Sequence, residues 1–85
     1  MRGKRILFFD PDPRARRVAE RALAATGSEI VSATDCEDVL TSMDGQRWDL
    51  MMLSYDPPLR DDTRWTERLE QFDTRYPGTK LVLHS

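Results

Sequence analysis

The residues of this chain best suited to chemistry are few and stand at the ends of short apolar runs. Asp10 and Asp12 follow the run Ile6–Phe9 directly. Two carboxylates so spaced, with backbone oxygens and several waters, can hold a divalent cation loosely. Pro11 and Pro13 interleave them, and Asp12 has a better use as the cap of a following helix. Cys36 and His84 are each the sole residue of their type. One cysteine excludes an internal disulfide and gives no basis for a zinc site. With no resolving cysteine or partner histidine, Cys36 reads as an inert thiol in the first turn of a helix. His84 reads as a half-buried or edge residue of a strand. One His and one Cys supply no nucleophile–base pair for a hydrolase. The four glycines are scattered, so no phosphate-cradling loop is present.

These residues must be positioned by short elements. Ile6–Phe9 is a continuous apolar run of strand length, as in a strand covered on both faces. Asp12 and Pro13 suit the cap and first position of a helix carrying Ala15, Val18, Ala19, Ala22 and Leu23, which Gly27 ends. A second strand spans 29–33. Thr34 and Glu37 have capping-box spacing before a second helix with the stripe Val39, Leu40 and Met43. A third strand covers 49–53, led in by Trp48, with Met51 and Met52 in the core. A loop over 54–62 carries Pro57 and Pro58. Trp65, Leu69, Phe72 and Tyr76 mark a third helix, broken by Pro77 and Gly78, and 80–84 is a fourth strand. Strands alternating with amphipathic helices predict a parallel sheet with helices on both faces and right-handed crossovers.

At 85 residues there is room for one domain, spanning 1–85, with a thin core. Lys and Arg number 13 against 15 Asp and Glu, a net charge of −2, which disfavours a dedicated nucleic-acid binder. The charge is uneven: residues 1–21 carry seven basic and three acidic side chains, and 22–85 carry six and twelve. A basic first helix on an acidic body is either a solvated face or a directional partner surface. No apolar run approaches a membrane span or a signal peptide, so a cytoplasmic location is expected.

Three segments resemble the receiver domains of two-component response regulators. Ile-Leu-Phe-Phe-Asp at 6–10 is similar to their first strand and acidic corner. Asp-Leu-Met-Met-Leu at 49–53 is similar to their third strand, which ends at the phosphoacceptor. Pro-Gly-Thr-Lys-Leu-Val-Leu-His-Ser at 77–85 is similar to their fourth strand and its terminal hydroxyl residue. The resemblance covers the whole chain but only about two thirds of a receiver. It implies an α/β, three-layer open parallel sheet of flavodoxin-like order 2-1-3-4, βαβαβαβ, lacking the last helix-strand-helix. In receivers a carboxylate after the third strand attacks a phosphoryl group, with Mg²⁺ held between it and an acidic pair after the first strand.

Carried over, that pocket comprises Asp10, Pro11, Asp12, Ser54 and Ser85, and it is degenerate. Asp10 matches the first acid, Pro11 replaces the second, and Asp12 lies one position late. Ser54 stands at the phosphoacceptor position with no evident base to activate it. Ser85 matches the hydroxyl position, and the lysine position lies beyond residue 85. The expectation is therefore a receiver-like module that is not an enzyme and carries no cofactor. It acts in signalling or transcriptional control through phosphorylation-independent protein contacts. The alternative is a working phosphoacceptor in which Asp56 substitutes for the usual aspartate and Mg²⁺ is bound. Candidate contact residues are Arg14, Arg17 and Arg21 on the first helix, Trp65, Leu69 and Phe72 on the third, and Leu81 and Leu83 on the fourth strand. Trp65, Leu69 and Phe72 also read as a core stripe. An unpaired fourth strand predicts a homodimer, by edge pairing or exchange of an element. No small-molecule substrate is evident.

Overall fold

The computed structural model describes residues 3–57 and 59–84. Eight elements follow one another: β1 (Arg5–Phe9), α1 (Pro13–Ala24), β2 (Glu29–Ser32), α2 (Cys36–Gly45), β3 (Leu50–Ser54), α3 (Thr63–Glu70), α4 (Phe72–Arg75) and β4 (Lys80–His84). The strands form one parallel sheet in the order β2-β1-β3-β4. The expected fold class and strand order are therefore observed. The chain steps to one side for β2 and back across β1 for β3. Right-handed crossovers in opposite directions put α1 on one face and α2 on the other.

Register decides which side chains share a face. Leu7, Met51 and Leu81 are aligned across the sheet, as are Phe9, Leu53 and Leu83. The first of these rows, with Phe9 and Leu53, joins Val39, Leu40 and Met43 of α2, Trp48, Leu59, Trp65 and Phe72 in one core. The opposite face carries Ile6, Leu50 and Lys80 in one row and Phe8, Met52 and Val82 in the next. Ile6 and Phe8 are buried on the α1 side, whereas Leu50, Met52 and Val82 are only half-buried. Cover therefore thins toward β4, which is the edge strand among the described residues.

Three helices begin on aspartate caps, each contributing about 1 kcal/mol. Asp12 accepts from Arg14 N, Asp35 from Asp38 N and Asp62 from Arg64 N. The cap of α2 corrects the expected Thr34–Glu37 box. The cap is Asp35, one residue later, and the Asp38 carboxylate reaches back to the Thr34 N–H at 2.9 Å. Glu37 is thereby released to pair with Arg64 at 2.6 Å, joining the starts of α2 and α3.

The predicted third helix is two helices, broken at Gln71. The break sacrifices little hydrogen bonding, because Gln71 N still donates to Glu67 O and Arg75 N to Gln71 O. Phe72 is buried in the core, its ring 5.1 Å from that of Tyr76. Trp48 is likewise more than a lead-in to β3. It is buried, and its indole N–H donates to Ser42 O at 2.8 Å, while Thr79 Oγ1 donates to its carbonyl at 2.6 Å.

Candidate functional site

The C-terminal ends of β1, β3 and β4 bring Asp10, Ser54 and His84 together. Ser54 is the last residue of β3, not the first of a loop, and pairs in register with His84. It is 2 % exposed, the one buried polar residue among the described ones. Its hydroxyl donates to Asp56 Oδ2 at 3.1 Å. A carboxylate thus neighbours this hydroxyl, which the sequence did not make evident, because the turn after β3 folds Asp56 back over the strand end.

Asp10 is half-buried and one of its oxygens is already engaged. Oδ1 accepts the Asp12 N–H at 2.8 Å, closing the turn into α1. Oδ2 lies 3.7 Å from Nδ1 of His84, an ion pair only when the imidazole is protonated. The His84 ring stacks on Phe8, with centroids 5.8 Å apart. Its Nε2 is buried without a hydrogen-bond partner among the described residues. Sequence reasoning placed His84 only as a half-buried strand residue. The signal that finds its neighbours is register: residues two apart share a face, so Phe8, Asp10, Ser54 and His84 align once β1, β3 and β4 are paired.

The acidic set that the receiver resemblance implies for Mg²⁺ is incomplete here, with Asp10 and Asp56 as the carboxylates at this end of the sheet. Pro11 offers no side-chain donor, Asp12 caps α1, and Ser54 presents a neutral hydroxyl bound to Asp56. No group of three His, Cys, Asp or Glu among the described residues is arranged to hold a metal. Ser85 lies outside the described residues.

The contact candidates divide. Arg14, Arg17 and Arg21 are exposed on α1 and make no ion pair among the described residues. With Val18, which is 69 % exposed, they line a shallow cleft of about 350 Å³. Trp65 and Phe72 do not form a docking face. They are 0 % and 6 % exposed and belong to the core, with Leu69 packed against it. Leu81 packs on the core, while Leu83 is exposed on β4. Cys36 is half-buried, and burial raises its thiol pKa, reinforced by the charges of Asp62 and Asp35 and opposed by Arg64. This supports the reading as an inert thiol. No helix of the described residues is long and apolar enough to cross a membrane.

No protein-family model matches the sequence, and no curated protein does. Solved structures do. The chemotaxis protein CheY4 of Vibrio cholerae is 17% identical, with a TM-score of 0.74 over 95% of this chain and 67% of that one. In the complex of histidine kinase ThkA with the response regulator TrrA of Thermotoga maritima, the match is 26% identical. Its TM-score is 0.71, covering 94% of this chain and 66% of that one. The receiver domain of the hybrid histidine kinase CckA is 24% identical, with a TM-score of 0.68 over 93% of this chain and 83% of that one. The fold is that of receiver domains. The chain spans about two thirds of the length of CheY4 and of the matched chain in the ThkA–TrrA complex.

Proposed function

We propose that this chain is an atypical receiver-like module of two-component signalling that works through protein contacts and self-association without being phosphorylated. The observation that carries the reading is the state of Ser54. At the strand end where receivers resemble one another, the side chain is a buried hydroxyl already hydrogen-bonded to Asp56. A serine has no charge to share with a metal, and the neighbouring acid position is Pro11. Phosphoryl transfer needs both. On this reading the module is not an enzyme, needs no cofactor and acts in the cytoplasm.

Two surfaces favour protein partners. The α1 face of Arg14, Arg17 and Arg21 around exposed Val18 offers charge with an apolar centre, which suits an acidic partner. The β4 edge, with exposed Leu83, offers unpaired backbone groups for a second copy. The likeness to a receiver solved with a histidine kinase supports protein partners in general.

The test is titration of the ¹⁵N-labelled chain with beryllofluoride and Mg²⁺, and sedimentation of the same sample. The reading expects unchanged amide shifts around Asp10, Ser54 and Asp56 and a concentration-dependent dimer. Saturable shifts there would replace it with the reading in which Asp56 is the phosphoacceptor. A strictly monomeric chain at high micromolar concentration would remove self-association.

A further inference from the structure

At the opposite end of the sheet, where β3 and β4 begin, a cleft of about 510 Å³ opens between the end of α2 and the turn after α4. This is within the size range of small-molecule sites. Tyr76 and Pro77 supply its accessible apolar lining, over the buried Met43 and Trp48. Its polar side chains are unequally satisfied. The Asp44 carboxylate is occupied: Arg68 donates to it at 2.7 Å and the Tyr76 hydroxyl at 2.7 Å. Gln46 Oε1 accepts from Arg5 at 2.6 Å, which leaves its amide N–H₂ over. Thr79 Oγ1 donates to Trp48 O.

The remaining groups are donors. Arg47 makes no ion pair among the described residues, and Arg75 reaches Asp44 only at 3.4 Å. Both guanidiniums are nonetheless placed. Arg75 lies over the Tyr76 ring, 5.9 Å from its centroid. Arg47 runs across Gly78, where φ is +81° and a Cβ would stand 3.2 Å from Nη2. The backbone conformation favours glycine there, and the Arg47 tip packs close against it.

A partly apolar lining with Arg47, unpaired among the described residues, Arg75, held to Asp44 only by long contacts of 3.4–3.5 Å, and an amide donor is complementary to an acceptor-rich anion on an apolar body. We infer that this cleft binds a small organic anion, a carboxylate or phosphate monoester carrying a flat apolar group, held by Arg47 and Arg75 and seated against Tyr76 and Pro77. The inference is independent of the state of Ser54, which lies at the other end of the strands.

The test is an NMR titration of the ¹⁵N-labelled chain with phenyl phosphate, phenol and inorganic phosphate. Saturable shifts are expected with phenyl phosphate at the Trp48 indole and the Gly78 and Thr79 amides. Binding of inorganic phosphate should be weaker, and phenol should give no saturation. Arg47→Gln and, separately, Arg75→Gln should each weaken phenyl phosphate by roughly tenfold or more, as loss of one charge-assisted hydrogen bond requires. Both side chains are exposed, so both variants should keep the parent spectrum elsewhere. Three results would overturn the inference: no saturation at millimolar phenyl phosphate, undiminished affinity in both variants, or inorganic phosphate bound as tightly as phenyl phosphate.

Discussion

The Ser54 hydroxyl donates a 3.1 Å hydrogen bond to Asp56 Oδ2 across the end of β3. The relationship is local, two residues apart, yet it commits the position to a neutral donor. Any acid placed at 54 meets a carboxylate already in contact range.

Ser54→Asp should therefore destabilise the chain. Two carboxylates at this separation, one of them in a buried position, cannot both ionise at low cost. The expected loss is roughly 2 kcal/mol at neutral pH, or a fall in Tm of about 10 °C for a domain of this size. The loss should shrink in acid, where one carboxyl is protonated. Thermal unfolding at two pH values checks both statements, and an unchanged Tm would contradict the geometry.

Asp44 gives the opposite kind of dependence. Burial pushes its carboxyl pKa up, but hydrogen bonds from Arg68 and Tyr76, with the charges of Arg68 and Arg75, outweigh this and hold it below its ordinary value. A carboxyl depressed in the folded state stabilises above its unfolded pKa of ~3.9, and that contribution is lost as pH falls through the lower folded value. Its side chain is 38 % exposed, so solvent screening limits the effect to about 1 kcal/mol or less. Asp44→Asn should lower stability by that order near neutrality and flatten the acid limb of the stability–pH curve. Urea denaturation between neutral pH and pH ~3 measures it.

Trp65 and Val18 test which apolar residues belong to the core. Trp65→Ala removes a fully buried side chain and should cost about 3–5 kcal/mol, enough to leave a domain this small largely unfolded. Val18→Ala, at an exposed site on α1, should stay within about 0.5 kcal/mol of the parent. Circular dichroism melts of the pair distinguish the two environments. Equal effects would mean that α3 and α4 do not seat as described.

Cys36 should react slowly. Burial first, then the negative charges of Asp62 and Asp35, raise its thiol pKa, so less of the reactive thiolate is present at a given pH. Alkylation by iodoacetamide at pH ~8 should lag glutathione in the same buffer and accelerate on unfolding, with a pH–rate midpoint above the usual ~8.5. A rate matching glutathione would remove the assigned environment.

The order of elements was legible from the chain because each signal is local. Ile6–Phe9 and the run entering β3 are apolar over strand length, and Asp12 precedes a helix it can cap by reaching only two residues ahead. The residues of the candidate site were legible for the same reason, since Asp10, Pro11 and Ser54 are read from the ends of those runs. Their arrangement required the fold. Which residue caps α2 turned on a one-residue choice between Thr34 and Asp35, settled by where Asp38 and Glu37 find partners.

Sequence by itself determined the alternation of strands and helices, because backbone preference and hydrophobic period act over a few residues. Tertiary structure alone decided that His84 stacks on Phe8, 76 positions away, and stands beside Asp10. It also decided that Asp44, Arg68, Arg75 and Tyr76 converge from separate helices at the rim of one cleft. Those contacts depend on sheet register and helix placement, which no local pattern encodes. The pairing of β1, β3 and β4 sets the contacts at the strand ends, and a one-residue slip of β4 would send His84 to the other face.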